Sequence, residues 1–170
     1  MPTGLKQSSS VVSIGFKAEE TAANTFAQST VDLNLSPLDR EVFVVLAINL
    51  DPQTPDAQAA VDSEVGCSLT TTSQTAVQGL DNSNCMASTS NSIKAAGFVD
   101  GGVAFQGLGA ETPPSTLEYI GIIATNDFFI SVEGLGNINP KTMSARIWGY
   151  RAQASSDIFA ALTQSELLSA

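Results

Sequence analysis

The stretch Thr30–Leu50 reads TVDLNLSPLDREVFVVLAINL and contains two different strand patterns, one on each side of a turn. In Thr30–Leu35 every second residue is apolar, which predicts a strand with one buried face. Ser36–Arg40 carries a proline and an aspartate and predicts a turn. Glu41–Leu50 is apolar almost throughout, so we expect a long strand that is buried on both faces. The stretch therefore indicates a β-rich protein.

Strand patterns recur on both sides of this stretch. They predict further strands at residues 11–16, 93–99, 103–108, 117–124, 128–133 and 143–153. Residues 100–102 (Asp-Gly-Gly) predict a tight turn, and Thr125–Asp127 predicts a short hairpin. Between the strands predicted to end at residue 50 and to begin at residue 93, the sequence predicts a short helical turn at residues 57–65, an edge strand at residues 69–77 and a loop at residues 81–84.

The chain ends with a predicted helix, which residues 155–157 (Ser-Ser-Asp) are expected to cap. Its apolar face, with Leu168 near the edge, is predicted to contain Ile158, Ala161, Leu162 and Ser165. Strands followed by one late helix predict an all-β fold, a two-sheet antiparallel sandwich with a short C-terminal helix. We expect a single jelly-roll domain over residues 1–154 and a helical tail over residues 155–170.

The two cysteines, Cys67 and Cys85, bear on both fold and chemistry. An immunoglobulin-like sandwich is the alternative fold, but its tryptophan stands between two cysteines, whereas Trp148 follows both. Two cysteines are too few for a zinc site when no histidine accompanies them. Unpaired thiols are favoured over a disulfide, because we expect the chain to be made in the cytosol.

The absence of histidine excludes most familiar catalytic sites. Neither a Ser-His-Asp triad nor an imidazole metal site can form. A carboxylate pair for glycoside hydrolysis remains as the enzymatic alternative, with the candidates Glu111, Glu118, Asp127 and Glu133. Few aromatic residues accompany them, so solvated carboxylates are the favoured interpretation. We therefore expect no catalytic residue and no enzyme.

An acidic segment suggests calcium as a further possibility. Its candidate oxygen ligands are Asp51, Asp56, Asp62 and Glu64. Their spacing lacks the alternate acids, glycine and closing glutamate of an EF-hand, so hydrated loop acids are favoured.

The glycines at 101–102 and 107–109 are not followed by a lysine and a helix, and predict turns instead of a phosphate site. We expect no metal ligand and no cofactor-binding residue.

The net charge is −10, from 17 acidic and 7 basic residues. Because the bases are scattered, direct binding to nucleic acid or to an anionic membrane is not expected. Charged residues make up only 14% of the chain, and such a surface suits broad protein contacts with little charge desolvation.

Residues 1–7 lack a signal-peptide layout and no apolar run is long enough for a membrane span, so we expect a soluble protein without a transmembrane segment.

Together, the length, strand content, acidic charge, missing histidine and Ser/Thr-rich loops resemble the small single-jelly-roll capsid proteins of icosahedral, membrane-containing viruses of bacteria and archaea. The resemblance covers the whole chain as a profile and involves no diagnostic motif. It implies a virion structural subunit that is made in the host cytoplasm, self-assembles as a homo-oligomer and contacts other virion proteins. Residues 1–10 contain only Lys6 as a base, unlike the basic arm of capsid proteins that bind genome directly.

Two functions follow as expectations. In the first, residues 155–170, with the apolar pair Leu167 and Leu168, help to contact adjacent subunits. The alternative is a carbohydrate- or receptor-binding β-sandwich module of a spike or appendage. It would use loop residues and an aromatic platform, namely Asn82, Asn84, Asn126, Asn137 and Trp148. Trp148 and Tyr150 are predicted to share one face of the last strand, where packing is favoured over sugar binding.

Overall fold

The computed structural model describes residues 2–95, 103–107 and 117–169. Within these residues the chain forms, in order, β1 (Leu5–Gln7), β2 (Val12–Glu19), β3 (Ala27–Asp32), β4 (Glu41–Pro52), β5 (Ser63–Thr70), β6 (Cys85–Lys94), β7 (Val103–Gly107), β8 (Gly121–Ile123), β9 (Asp127–Leu135), β10 (Thr142–Ala154) and α1 (Ser156–Leu168). The pattern of residues 30–50 correctly predicts β4 and the second half of β3. Leu33 and Leu35 are buried just beyond the end of β3.

The described strands form two five-stranded antiparallel sheets. In the first sheet β10 is central, with β4 and then β8 on one side and both β1 and β2 on the other. The second sheet has the order β3-β9-β5-β6-β7. The pairs β2–β10, β3–β9, β4–β8 and β5–β6 are nested, as in a long hairpin that is wrapped into two sheets. This nesting is jelly-roll topology, and the predicted fold is confirmed.

A β-bulge divides strand β4 into two parts. Trp148 of β10 pairs with Ala47, but the next residue, Gly149, pairs with Val45. Leu46 is therefore an extra residue on β4, and such a residue shifts the alternation of side chains between the two faces of a strand.

Hydrophobic clusters lie on both faces of the first sheet. The main core fills the space between the sheets and includes Phe43, Val45, Val65, Leu69, Ile123, Phe128, Ile130, Val132, Met143 and Ile147. A second cluster lies beneath α1 and includes Leu5, Val42, Val44, Ala124, Tyr150, Ala152 and Ala154. Because successive residues of β4 face different clusters, the strand is apolar on both faces, as its sequence predicts.

Two predictions for the middle of the chain are wrong. Residues 57–62 form no helical turn but a loop with one isolated bridge, and β5 begins at Ser63. The predicted edge strand at 69–77 is also absent, since residues 69 and 70 end β5, which lies between β9 and β6 inside the second sheet. The pattern of β5 is obscured because some of its polar residues are buried in pairs, such as Ser68 with Ser131, whose hydroxyl oxygens are 2.8 Å apart.

The links around β8 also differ from the prediction. Thr125–Asp127 is not a hairpin turn, because β8 pairs with β4 in the first sheet while β9 belongs to the second. β8 is shorter than the predicted strand at 117–124. The strand predicted from residue 93 starts earlier, as β6, whose sequence CMASTSNSIK is too polar for its strand to be recognised. Residues 96–102, including the predicted Asp-Gly-Gly turn, lie outside the described residues.

Candidate interaction surface

Helix α1 follows β10 directly and lies over the outer side of the first sheet. Ser155 is its N-cap in an extended conformation, and Asp157 lies in the first turn, where the helix dipole favours an acidic side chain. Among the described residues no side chain caps this end of the helix. Instead, Ser155 N donates a hydrogen bond to Gly4 O at 3.1 Å, which ties the start of α1 to the N-terminal segment.

The inner face of α1 covers the second cluster. Ile158, Phe159 and Leu162 pack against it and are themselves partly buried. Gly4 has a φ of +80°, and a Cβ at this position would overlap Cδ1 of Ile158. Only glycine combines this conformation with such a close approach, so the helix position depends on it.

The buried face of α1 is rotated relative to the predicted one. Ile158 and Leu162 lie on it as predicted, but Ala161 and Ser165 are exposed. Glu166 is buried instead, with 8% of its surface exposed. Residues 158, 162 and 166 are four apart and form one row along the helix. Sequence reasoning passed over Glu166 because ionisable side chains rarely occupy a buried face.

Glu166 connects the C-terminal half of α1 to the link between β8 and β9. Its Oε1 accepts a hydrogen bond from Ala124 N at 2.8 Å, and its Oε2 accepts one from Thr125 N at 3.0 Å. Burial raises the pKa of this carboxyl group, although the hydrogen bonds from both residues act to lower it. The helix is therefore held by a buried polar contact as well as by apolar packing.

Along its outward side α1 carries a shallow apolar surface that the helix forms alone, which we call the outer-face groove. Phe159 lies at its edge and also packs against the second cluster. The outer-face groove is lined by Phe159, Ala160, Thr163, Gln164, Leu167 and Leu168, none of which is ionisable. Leu167 is 61% exposed and Leu168 76% exposed. A second acidic chain can approach this surface without bringing like charges together, which makes the groove the candidate interaction surface.

Charged side chains hold loops together at the end of the sandwich that lies opposite the link between β8 and β9. Lys141 Nζ lies 2.6 Å from Asp56 Oδ1, and this contact is the main reason that the pKa of Asp56 is lowered to about 2. Glu20 accepts hydrogen bonds from Gly134 N and Lys141 N, both at 2.7 Å. Sequence reasoning missed this network because Glu20 and Lys141 are 121 residues apart. All these hydrogen-bond and ion-pair partners are internal to the fold, which indicates a structural role.

The four candidate calcium ligands do not form one cluster in the described residues. Asp56 is bound by Lys141, and Asp62 accepts a hydrogen bond from Ala95 N at 2.8 Å. Asp51 and Glu64 lie in β4 and β5, which belong to different sheets. Across residues 2–95 and 117–169, no three Asp, Glu, Cys or His side chains are grouped so that they could hold a metal ion.

Two of the candidate catalytic carboxylates, Asp127 and Glu133, are too far apart to act as a pair. Asp127 and Glu133 are six residues apart in β9, which corresponds to roughly 20 Å along a strand. A glycosidase pair is about 5 to 9 Å apart. Glu118 precedes β8, and Glu111 lies outside the described residues.

The residues of the alternative binding site are also divided. Asn126 immediately precedes β9 and Asn137 follows it, so they lie at opposite ends of the sandwich. Asn82 and Asn84 precede β6, at the same end as Asn126, but Asn84 and Asn137 are buried. Trp148 is half-buried in the middle of β10. The structure therefore does not bring these side chains into one sugar-binding surface.

Both cysteines are free thiols, which confirms the favoured interpretation. Burial raises the pKa of Cys67 to about 12 and also raises the pKa of Cys85. Since the thiolate is the nucleophilic form, these environments disfavour cysteine chemistry.

The basic side chains are mostly engaged within the chain. Four of the seven form ion pairs with carboxylates, namely Lys17, Lys94, Lys141 and Arg151. Arg40 Nη1 donates to Ser156 Oγ at 3.3 Å. Lys6 and Arg146 are exposed and form no ion pair with the described residues. In the part of the chain that the structure describes, no helix has both the length and the apolar character needed to cross a membrane.

No protein-family model matches the chain, and no curated protein matches it. Among solved structures, that of apo chimpanzee polyomavirus VP1 is similar to the chain, with a TM-score of 0.46 and 5% sequence identity. The similarity covers 88% of this chain and 99% of that chain. The nested strand pairing of the chain itself, and not this likeness, defines the jelly roll.

Proposed function

We propose that the protein is a capsid or capsid-associated subunit of a virion, and that it self-assembles through protein–protein contacts. The observation that carries this proposal is the outer-face groove, an apolar surface without ionisable groups on a chain of net charge −10. Jelly rolls serve in viral capsids and in lectins and cupins, so the fold is compatible with the role but does not select it. Residues 1–154 would form the body of the subunit and residues 155–170 its contact element.

A second copy of the chain is the occupant that the charge distribution favours. Two strongly acidic molecules repel each other over most of their surfaces, and a charge-free apolar patch is where that repulsion opposes contact least. The groove also presents Leu167 and Leu168, which gain by leaving water. The engaged bases further support proteins, and not nucleic acid, as the partners.

The size of α1 limits what one contact can achieve. Its 13 residues span roughly 20 Å, and at a width of roughly 10 Å one face offers on the order of 200 Å². A typical stable interface buries about 800 Å² per partner. A single helix contact is therefore weak, and assembly requires several contacts that are repeated by symmetry, as in a closed shell.

The test is the solution mass of the purified protein, measured by light scattering over a range of concentration and salt. We expect discrete oligomers or closed particles. The double variant Leu167→Glu/Leu168→Glu should shift the protein towards monomer and keep it folded, with a small fall in melting temperature because the new carboxylates lie at the C-terminal end of α1. The matched control is Leu38→Glu/Leu80→Glu, which alters leucines that are 96% and 68% exposed and are not part of the outer-face groove.

A wild-type protein that is monomeric under every condition would contradict the proposal, as would equal effects of the two double variants. Substitution is preferable to deletion of residues 155–170, because deletion would also uncover the second cluster beneath α1.

A further inference from the structure

A second groove lies beside Glu166, between the C-terminal end of α1, strand β8 and the loop before β6. Its volume is about 300 Å³, and its walls include Thr71, Asn84, Met86, Ile120, Leu162 and Glu166. We call it the Glu166 groove. It includes Leu162 and Glu166 from the buried face of α1, and it shares no lining residue with the outer-face groove.

The electrostatic environment of the Glu166 groove is negative. Glu166 brings a buried carboxylate, and no lysine or arginine is among the residues that line the groove. Ser165 and Ser169 come from the end of α1, where the helix carbonyl groups carry partial negative charge and no basic residue occupies the last turn. In the same wall, burial raises the pKa of Cys85, and the charge of Asp81 adds to that rise.

One lining residue has an unmet hydrogen-bonding capacity. Thr71 is only 6% exposed, and its Oγ1 has no hydrogen-bond partner among residues 2–95, 103–107 and 117–169. Buried hydroxyl groups are nearly always paired in folded proteins, so the Oγ1 of Thr71 lacks a partner that a bound water or a ligand donor would supply. Met86, Ile120 and Leu162 supply apolar surface next to these acceptors. A long side chain with methylene groups and a cationic end fits this combination.

We propose that the Glu166 groove receives a lysine or arginine side chain from a neighbouring copy of the chain. The proposal rests on self-assembly as the proposed function, and names a contact within it. Lys6 and Arg146 are the candidate donors, because both are exposed and neither has an ion-pair partner among the described residues. The arriving cation neutralises Glu166 and the helix end, while its donors engage the hydroxyl and amide oxygens of the walls.

The chemistry of the groove can be tested without assembly. Nitrogen-15-labelled protein is titrated with N-acetyl-arginine amide, and the backbone amide signals of Ala124 and Thr125 are followed, since both amides donate to Glu166. We expect saturable shifts of these two signals that weaken as salt is added. N-acetyl-citrulline amide, a neutral probe of nearly the same shape, should give none. Absence of saturation, or equal shifts with both probes, would overturn the proposal.

The source of the side chain is tested by the variants Lys6→Ala and Arg146→Ala. One of them should weaken self-association at least tenfold in sedimentation measurements. The control is Lys17→Ala, which removes an exposed lysine whose partner, Glu19, lies in the same chain. If neither variant differs from the control, the neighbouring copy is not the source and the proposal fails. A protein that does not associate at all refutes the proposed function instead, and the amide titration distinguishes the two failures.

Discussion

Replacing Glu166 with alanine is expected to loosen the C-terminal half of α1 and leave the core between the sheets intact. The change removes both acceptors of the amides of Ala124 and Thr125, which are now bonded at 2.8 and 3.0 Å. An amide left without a partner in a buried site costs about 1–3 kcal/mol, and less where water reaches it. Removing the buried carboxylate recovers part of this loss, because burial disfavours its charged form. The free energy of unfolding should therefore fall by about 2–3 kcal/mol.

Urea unfolding would measure the loss, and hydrogen exchange would locate it at Ala124 and Thr125. Glu166→Gln keeps one carbonyl acceptor and should lose about half as much. The folded-state pKa of Glu166 is raised above the ordinary 4.5, so its contribution to stability is fully present below pH 4.5 and is lost as pH rises through the folded-state pKa. The cost of Glu166→Ala should accordingly shrink with rising pH. An unchanged unfolding free energy, or a cost that grows with pH, would refute this account.

Three further outcomes are expected. Gly4→Ala should lower the unfolding free energy by about 1–3 kcal/mol, because its Cβ meets Ile158; a stability equal to wild type in urea would contradict this. Lys141 lowers the pKa of Asp56 from 3.8 to about 2, so this contribution is present above pH 3.8 and lost as pH falls through 2. Asp56→Asn should therefore lose less stability than wild type between pH 4 and 2, and parallel acid curves would argue against it. Cys67, with a pKa of about 12, should react with maleimide at pH 8 only after unfolding; labelling of Cys67 in the native protein, located by peptide mapping apart from the partly exposed Cys85, would disprove its burial.

The parts of the fold that could be predicted from sequence are those with strong local hydropathy patterns. Alternation in residues 30–35 and the apolar run from residue 41 identify two strands and the sides they bury. The helix after Ser155 has a recognisable start. Leu167 and Leu168, which the sequence offers as an apolar pair near the end of this helix, are both exposed.

The remainder depends on contacts between distant segments. Strand β6 has a polar sequence, and its pairing with β5 is what makes it a strand. The buried pair of Glu20 with the Lys141 backbone joins loops that are 121 residues apart. The rotation of α1 follows from the amides that Glu166 meets between β8 and β9, and no pattern within the helix reports them. Local sequence predicts elements well, whereas the site depends on their tertiary neighbours.

Strand β10 comes last along the chain among the described strands and is also the centre of the first sheet. Among the described strands, β1 and β2 pair only with β10, and β4 otherwise pairs only with the short β8. A nascent chain that ends before residue 142 therefore cannot form this sheet and leaves the apolar β4 exposed to chaperones. Folding of this sheet must wait until residues 142–154 have been synthesised, and the long loops closed at that moment make it slow. Prematurely terminated chains consequently lack a folded body, and this keeps them out of any assembly that the complete subunit forms.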